Sequence, residues 1–215
     1  MSRILKHEFE NAAGRGIVSW MCLEDLKANA NTSQSKQVEK EAMDLLIRET
    51  MGSGFKIERD EFGKPWPLER NGFISISHSS NWVAFCFHPN QPMGIDVETT
   101  RLQLSKVAHR ILHQSELSIL EKSKNKQRAL QLFWGGKEAL YKAYGKKNLE
   151  FSTQLVLSGI EDESDIFQGE IILPDAKWKC ELSLIKPDEN SYLIFTNDLH
   201  SSPENKSTRI PKFGQ

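Results

Sequence analysis

The apolar run WVAFCFH, from Trp82 to His88, constrains the fold of this chain more than any other segment. An almost unbroken apolar run of this length is typical of a strand that is covered by protein on both faces. The segment before it, residues 73–77, alternates apolar and polar side chains as a half-buried strand does. The short connection HSSN separates the two runs, and we therefore predict a β-hairpin over residues 73–88.

Helical patterns precede and follow this hairpin. The apolar residues of segment 36–50 recur near i, i+4, i+7 and i+8, which predicts an amphipathic helix that ends at MGSG. Residues 103–112 also have helical signals, and Ser115 is predicted to cap a short helix that follows. A longer helix is predicted over residues 128–144, and Gly145 would end it.

The last third of the chain is predicted to be mainly β-strand. LVLSGI, GEIIL, WKCELSLI and YLIFT are strand-like runs separated by Gly, Pro, Asp and Asn, and MGIDVE at residues 93–98 is a further short strand. In WKCELSLI, the four residues Trp178, Cys180, Leu182 and Leu184 share one face, which indicates a sheet with one dry side. The mixture of helices and strands predicts an α+β fold.

Charge and cysteine content narrow the classes of function. The 215 residues include 28 Lys and Arg against 29 Asp and Glu, so the chain lacks the basic excess of a dedicated nucleic-acid binder. Cys22, Cys86 and Cys180 are widely separated, which predicts buried free thiols instead of a disulfide framework or a metal site. No apolar run reaches the length of a signal peptide or a membrane helix, and we expect a cytoplasmic protein with no membrane partner.

Two acids stand two residues apart in the predicted strand MGIDVE. Because side chains on a strand alternate between its faces, Asp96 and Glu98 project from the same face. Paired carboxylates suit Mg²⁺, which binds hard oxygen ligands and completes its shell with water and phosphate. Taken alone, two acids at a strand end are more often only solvated than bound to a metal.

The predicted helix FWGGKEALYKAYG adds charged groups of both signs. Glu138 and Lys142 are spaced i and i+4 and share one helical face, and Lys137 comes directly before Glu138. On their own these residues could form a surface ion pair. Brought next to Asp96 and Glu98, they would complete a phosphate site in which acids hold a metal and lysines neutralise phosphate oxygens.

Two shorter segments contribute further polar groups. Ser75, Ser77 and His78 end the first predicted strand of the hairpin, where hydroxyls, an imidazole and turn amides can face an anion. A Ser–His nucleophile pair is disfavoured, because adjacent residues on a strand point to opposite faces. Lys64 and Pro65 in FGKP, taken alone, indicate an ordinary turn.

The order of these segments resembles that of a known family. GKP, SISHS, GIDVE and FWGGKEALYK, spread over residues 63–142, resemble the G-K-P, S-H-S, G-[IV]-D-[IVL]-E and W-x-x-K-E-x-x-x-K signatures of the 4'-phosphopantetheinyl transferase superfamily. The resemblance implies an enzyme that transfers 4'-phosphopantetheine from coenzyme A to a serine of an apo acyl or peptidyl carrier protein. It also implies release of adenosine 3',5'-bisphosphate and dependence on Mg²⁺, with Mn²⁺ as a substitute.

The length of the chain suits the monomeric branch of the family that activates surfactin synthetase. In that branch two similar α+β halves form a pseudo-dimer with the active site between them. The resemblance therefore implies a monomer with an N-terminal half over residues 1–92 and a C-terminal half with the metal site over residues 93–199. The polar segment 200–215 is predicted to be a disordered tail.

Roles follow from the resemblance for individual residues. Asp96, Glu98 and Glu138 match the metal-binding acids, and Glu138 also matches the general base. Lys142 matches the lysine that contacts the pyrophosphate, which makes Asp96, Glu138 and Lys142 the expected catalytic residues. The expected coenzyme A contacts are Lys64 and Pro65 along the adenine, Ser77 and His78 at the nucleotide phosphates with His78 toward the 3'-phosphate, Lys137, and Lys142.

The chain departs from the family pattern in two places. The family often ends its signature with K-x-x-G-x-G-L, whereas Lys142 is followed here by AYGKKNL, without the second glycine. Arg48 matches a helix arginine of the family, but Glu39 stands where a second arginine is expected. Lys36 or Lys40 could replace that arginine.

Carrier proteins are generally acidic, so the docking surface is expected to be basic. A solvated loop is the alternative explanation of the lysine run. The candidate docking residues are Arg101, Lys106, Arg110, Lys122, Lys124, Lys126 and Arg128.

Two other classes of function remain open from the sequence. One is a metal-dependent nuclease, which uses similar groups but in a D…E-x-K order and with a basic surface for nucleic acid. The other is an inactive module that binds coenzyme A or a carrier protein, although all three acids and Lys142 are present.

Overall fold

The computed structural model describes residues 3–27, 35–100, 102–161 and 163–202, and within these ranges the chain has a mixed α+β fold, as predicted. The strands are β1 (Ile4–Asn11), β2 (Gly14–Cys22), β3 (Ile57–Arg59), β4 (Pro65–Pro67), β5 (Phe73–His78), β6 (Trp82–His88), β7 (Ile95–Thr99), β8 (Leu155–Ser158), β9 (Ile166–Ile172), β10 (Lys177–Asp188) and β11 (Ser191–Ser201). The helices are α1 (Glu24–Lys27), α2 (Ser35–Met51), α3 (Ala108–Ile111), α4 (Gln114–Lys122), α5 (Lys126–Tyr144) and α6 (Phe151–Gln154), with a 3₁₀ helix at Leu102–Lys106.

The strands form two large antiparallel sheets. The first has the order β1-β2-β6-β5 and the second β7-β11-β10-β9-β8, while β3 and β4 pair as a separate ribbon. Helix α2 packs on one face of the first sheet, with Ala42 and Leu46 buried against Phe85. Helix α5 packs on the second sheet, where Phe133 and Leu140 belong to the core. The remaining buried cluster joins β1, β2 and β6 to β7 and β11, so it fills the space between the two sheets.

Most of the predicted elements are present. The hairpin of β5 and β6, helix α2, helix α5 and the C-terminal strands are confirmed, and the predicted dry face of WKCELSLI is buried throughout. Helix α4 differs at its start, because the His113 side chain and not Ser115 caps it by accepting a hydrogen bond from the Ser115 amide. Strand β11 includes His200 and Ser201, two residues beyond the predicted tail boundary, and residues 203–215 lie outside the described ranges.

The two large sheets meet edge to edge at β5 and β7. The Ile95 and Val97 amides of β7 donate to the Ser75 and Ser77 hydroxyls of β5, each at 3.2 Å. The two serines are two residues apart, and so are the two amides. Side chains on one face of a strand and amides on one edge both recur every second residue, so the two sets match. The serines of FISIS therefore satisfy backbone donors that an edge strand would otherwise leave unpaired.

Glycine lets helix α5 approach β7 closely. A Cβ atom on Gly94, just before β7, would lie 1.8 Å from the Ala139 carbonyl oxygen. The backbone of α5 thus rests against the start of the strand that carries the predicted acids.

The remaining sequence expectations concern thiols and membrane segments. Cys22, Cys86 and Cys180 are free thiols; the last two are buried, whereas Cys22 is only half-buried. Burial raises the pKa of the Cys86 thiol to about 12, so this cysteine is inert as a nucleophile. No helix among the described residues is both long and apolar enough to cross a membrane.

Candidate active site

Asp96 and Lys142 form the centre of the site, where β5, β7 and α5 meet. The Lys142 ammonium donates to Asp96 Oδ1 at 2.8 Å and to the Ile95 carbonyl at 3.0 Å. It also donates to the Ser77 hydroxyl at 3.0 Å, and that hydroxyl donates to Asp96 Oδ1 at 3.0 Å. The structure thus brings three of the predicted site residues into one hydrogen-bonded group.

Ser77 has its hydrogen-bonding capacity filled by this group. Its hydroxyl donates to Asp96 and accepts from the Val97 amide and the Lys142 ammonium. A hydroxyl offers one donor and two acceptor positions, so none is left for a phosphate in this conformation. In this arrangement Ser77 orients Asp96, and its contact with a phosphate stays a prediction.

An aromatic residue of α5 contacts Glu98, and Glu138 follows it four residues later on the helix. The Trp134 indole N–H donates to Glu98 Oε1 at 3.4 Å. Trp134, Glu138 and Lys142 are spaced four residues apart, so they form one stripe along the helix. Glu138 is half-buried, and Glu98 is buried with 8% of its surface exposed.

The oxygen atoms of the three acids show whether these residues are suited to bind a metal ion. Asp96 is 3% exposed, and its Oδ2 is buried without a hydrogen-bond partner among the described residues. A buried carboxylate oxygen in this state is a ready ligand for a hard cation. In the side-chain arrangement seen here, however, no group of three His, Cys, Asp or Glu residues within the described ranges is placed to share an ion. The donor chemistry therefore fits Mg²⁺, while the three-acid arrangement stays a prediction.

A cavity of about 240 Å³ opens beside this group. Its apolar wall includes Phe62, Pro65, Ile74 and Tyr141, and no Asp or Glu from the described part of the chain lines it. The basic residues of its lining are Arg59, Lys64, Lys142, Lys146 and Lys147. The combination of an apolar wall with five basic residues and no acid in the described lining suits a nucleotide-like anion.

Lys64 lies at the back of the cavity. Its ammonium donates to the Ala143 carbonyl at 3.1 Å and lies 5.1 Å from the centre of the Trp66 ring. Burial lowers the pKa of Lys64 to about 8, although Asp60 acts in the opposite direction. Gly145 makes room for this side chain, because a Cβ atom there would fall 2.4 Å from the ammonium. The FGKP turn and the end of α5 thus meet at the cavity.

Lys137 does not join the predicted site. It is fully buried on a different face of α5 from Glu138 and Lys142. There its ammonium lies 2.7 Å from Glu116 Oε2. It also donates to the Phe151 and Leu155 carbonyls, both at 2.6 Å. Burial lowers the pKa of Lys137, and the charge of Glu116 raises it. The expected contact between Lys137 and coenzyme A is therefore replaced by a structural ion pair that ties α5 to α4 and β8.

His78 faces an acid in the structure. Its Nδ1 lies 3.5 Å from Glu39 Oε2 on α2, and its side chain is exposed. Glu39 is the acid that stands in place of the expected arginine. Of the basic candidates on the same helix, Lys40 pairs with Asp44 at 2.9 Å and Arg48 lies 3.5 Å from Glu49, all with exposed side chains.

One residue of the predicted docking surface is not available to a partner. Arg128 is buried, and its guanidinium donates to the Glu161 and Ser164 carbonyls at 2.8 and 3.0 Å, so it cannot meet a partner. Arg101 lies outside the described residues. The remaining candidates are exposed: Lys106, Arg110, Lys122, Lys124 and Lys126.

Several site residues were missed from the sequence. Trp134 could have been found, because it lies four residues before Glu138 on the same face of α5. Arg59, Lys146 and Lys147 had no signal in the sequence alone, since they join the cavity only when the FGKP turn meets the end of α5.

A basic cavity beside buried carboxylates is typical of proteins that act on phosphorylated ligands. The family model of the 4'-phosphopantetheinyl transferase superfamily matches residues 92–196. The 4'-phosphopantetheinyl transferase Sfp of Bacillus subtilis (strain 168) is 30% identical over 159 residues, which cover 67% of each chain. The 4'-phosphopantetheinyl transferase gsp of Aneurinibacillus migulanus is 33% identical over 90 residues, 41% of this chain and 37% of the relative. A further 4'-phosphopantetheinyl transferase of Bacillus subtilis is 26% identical over 156 residues, 68% of this chain and 67% of the relative.

The chain belongs to the 4'-phosphopantetheinyl transferase superfamily, in the group of the Sfp protein, and is a transferase. The resemblance inferred from four short motifs is thereby confirmed.

Proposed function

We propose that this chain transfers the 4'-phosphopantetheine group of coenzyme A to a serine hydroxyl of an apo acyl or peptidyl carrier protein, with release of adenosine 3',5'-bisphosphate. The observation that carries the proposal is the position of Lys142, which lines the basic cavity and also donates to Asp96 at 2.8 Å. The Lys142 side chain therefore lies between two places: the cavity, where a nucleotide would bind, and the carboxylates, where its phosphate would react.

The cavity supplies the groups that the nucleotide end of coenzyme A needs. Phe62, Pro65 and Tyr141 offer apolar surface for the adenine, and Lys64 at the back adds a cation next to it. The other basic residues of the lining would neutralise phosphates. The pantetheine arm would then extend toward the carrier.

The transfer step requires a base and a cation near the reacting phosphorus. The serine oxygen of the carrier forms a bond to the phosphorus that bears pantetheine, and the bond from that phosphorus to the bridging oxygen breaks. The electron pair stays with the departing adenosine 3',5'-bisphosphate. Glu138 would accept the serine proton at a carboxylate oxygen, and Lys142 would offset the charge that develops on the phosphate. Full turnover by a Glu138→Gln variant would contradict the role of Glu138.

Asp96, Glu98 and Glu138 would hold Mg²⁺, for which Mn²⁺ could substitute. When bound, the ion would supply positive charge against the negative charge of the pyrophosphate. The buried Asp96 Oδ2, which has no hydrogen-bond partner among the described residues, supports this assignment. Trp134 would keep Glu98 turned toward the same place.

The proposed molecule is a cytoplasmic monomer in which residues 1–92 and 93–199 form two similar halves related by a pseudo-twofold axis. Each half would contribute one sheet and its helix, α2 or α5. The exposed lysines between β7 and α5 would meet an acidic carrier. We expect no membrane partner, and no nucleic-acid partner because the net charge of -1 lacks the overall basic excess of a dedicated nucleic-acid binder.

Release of adenosine 3',5'-bisphosphate tests the proposal by chromatography. The chain is incubated with coenzyme A, Mg²⁺ and an apo-carrier, with parallel reactions that lack the carrier or contain a metal chelator. The proposal predicts release only when carrier and metal are both present. Coenzyme A binding without release on any carrier would support the inactive binding module, and absence of binding would contradict the proposed substrate.

A further inference from the structure

The Asp60 carboxylate holds the FGKP turn from outside the cavity. Asp60 Oδ1 accepts hydrogen bonds from the Phe62 and Lys64 amides, both at 2.9 Å. Asp60 Oδ2 accepts a third hydrogen bond from the Trp66 indole N–H, also at 2.9 Å. Phe62 and Lys64 line the cavity, but Asp60 does not. The carboxylate therefore faces the turn and not the space in which a ligand would lie.

The backbone of the turn is closed on the same residue. The Gly63 amide donates to the Asp60 carbonyl at 2.9 Å, and the Asp60 amide donates to the Lys64 carbonyl at 3.0 Å. Gly63 has φ of 84°, a left-handed conformation that glycine adopts without strain. An Asp side chain that accepts from an amide two residues later is a common way to fix such a turn. Asp60 thus sets the path of the chain from residue 60 to residue 66.

Trp66 connects Asp60 to the charge of Lys64. The Trp66 ring is buried, and the Lys64 ammonium lies 5.1 Å from its centre. The Arg70 guanidinium lies 4.8 Å from the centre of the same ring. A cation close to an aromatic ring is attracted to the face of the ring. The direction of the indole, which its hydrogen bond to Asp60 fixes, therefore affects where the Lys64 ammonium lies at the back of the cavity.

The ionised form of Asp60 matches its three donors. Burial raises the pKa of the Asp60 carboxyl, but the hydrogen bonds from Trp66 and from the Lys64 and Phe62 amides lower it, and the net result is a pKa below the ordinary value. An ionised carboxylate only accepts hydrogen bonds. A side-chain amide at this position could not accept from all three donors, because its nitrogen is itself a donor.

We propose that Asp60 is a positioning residue for the nucleotide end of coenzyme A. It holds Trp66 and the FGKP turn, and through them it places Lys64 at the back of the cavity. The inference rests on the proposed function, because it takes coenzyme A as the ligand. The residues assigned to the transfer step lie on β7 and α5, so Asp60 affects the affinity for coenzyme A and not the rate of transfer from bound coenzyme A.

Calorimetric titration of coenzyme A into the full chain tests this inference, together with turnover at saturating coenzyme A measured by release of adenosine 3',5'-bisphosphate. The variant is Asp60→Asn, which keeps the size of the side chain but turns an N–H group toward at least one of the three donors. The matched control is Glu61→Gln, which removes the same charge from the next residue, an exposed one that makes none of these hydrogen bonds. Thermal unfolding curves establish that both variants are folded.

We expect Asp60→Asn to raise the dissociation constant of coenzyme A about tenfold and Glu61→Gln to leave it unchanged. Turnover of the Asp60→Asn variant at saturating coenzyme A should stay within about threefold of wild type. An unchanged dissociation constant, or a fall in turnover as large as the loss of affinity, overturns the inference and leaves the proposed function standing. If the wild-type chain binds no coenzyme A, the proposed function is contradicted as well.

Two further variants test whether Asp60 acts through its neighbours. In a Lys64→Met background, Asp60→Asn should change the dissociation constant by less than about threefold, because the positioned cation is already absent. A loss of about tenfold in that background overturns the assigned role. Trp66→Phe removes the N–H donor but keeps a ring near Lys64, and it should raise the dissociation constant about threefold. The Trp66→Phe variant replaces Asp60→Asn if the latter does not fold, and an unchanged dissociation constant then overturns the inference.

Discussion

The Lys142 ammonium lies 2.8 Å from Asp96 Oδ1, and this ion pair joins helix α5 to the edge strand β7. Asp96 is buried, whereas 27% of the Lys142 side chain is exposed toward the cavity. The ammonium therefore has one side against the carboxylate and another facing the space in which a phosphate would lie. A cation in this position can act on substrate without leaving its acid partner.

Replacement of Lys142 by Gln should impair the chemical step more than substrate binding. The variant keeps a hydrogen-bond donor near Asp96 but removes the charge that would offset the developing phosphate charge, and we expect turnover to fall by about 10²–10³-fold. Single-turnover rates and the dissociation constant of coenzyme A, measured separately, distinguish the two effects. A turnover within threefold of wild type would contradict the assigned role.

Lys64 should lower the free energy of unfolding while it contributes to coenzyme A binding. Because burial lowers its pKa from 10.5 to about 8, the folded state carries an unfavourable charge at neutral pH. A Lys64→Met variant should therefore unfold at a higher urea concentration at pH 7. Its free energy of unfolding should be larger by about 1–2 kcal/mol after allowance for the lost contacts to Trp66 and Ala143. The same variant should bind coenzyme A more weakly.

The pH dependence of the Lys64 effect has a definite sign. Below about pH 8, Lys64 is charged in both the folded and the unfolded chain, and the cost of its burial is fully present. Between about pH 8 and 10.5 the unfolded chain retains a proton that the folded chain has released, so the contribution of Lys64 to the free energy of unfolding rises. The advantage of the Met variant should shrink over this window. An advantage that grew with pH would contradict the assigned pKa.

The buried pair of Lys137 and Glu116 should behave unlike a surface pair of similar length. Lys137→Met leaves the fully buried Glu116 carboxylate without its cation and should reduce the free energy of unfolding by about 3–5 kcal/mol. The double variant Lys137→Met with Glu116→Gln should lose less than the sum of the single variants. Urea denaturation of all three completes the cycle.

The Lys177–Glu170 pair, which has a similar length of 2.8 Å but is partly exposed, provides the control for this cycle. Lys177→Met should cost less than about 1 kcal/mol. Equal losses from Lys137→Met and Lys177→Met, or strict additivity in the Lys137 and Glu116 variants, would show that the buried pair is not a structural tie.

The basic surface between β7 and α5 should affect the carrier and not the nucleotide. Charge reversal of Lys122, Lys124 and Lys126 to Glu should raise the Michaelis constant for an acidic carrier about tenfold or more and leave coenzyme A binding unchanged. The control reverses three exposed lysines elsewhere: Lys56, Lys179 and Lys186. An equal effect of both triple variants would indicate a general charge effect in place of a docking surface.

Strong local patterns account for the parts of the fold that the sequence predicted. The β5–β6 hairpin consists of an alternating run followed by an almost unbroken apolar run, helix α5 is a long segment that Gly145 ends, and both are present. The hairpin of β1 and β2 was not predicted. Strand β1, with the sequence ILKHEFEN, lies at the sheet edge and is largely exposed, so it has no apolar alternation to reveal it.

Side-chain direction limited the prediction of the site. Successive residues on a helix point about 100° apart, so Lys137 can face the core while Glu138 faces the junction with β7. The two residues are adjacent in the motif, so the sequence alone does not show that one is buried in the core and the other faces the site. The cavity lysines beyond Gly145 were likewise invisible, because their neighbours in space come from the distant FGKP turn.

Intact-protein mass spectrometry of apo-carrier proteins tests the central claim most directly. Several carriers are incubated with coenzyme A, Mg²⁺ and the chain, in parallel with an Asp96→Ala variant that lacks the acid partner of Lys142. The account predicts that at least one carrier gains the mass of one phosphopantetheine group with the wild-type chain and none does with the variant. No gain on any carrier, or an equal gain with the Asp96→Ala variant, would contradict it.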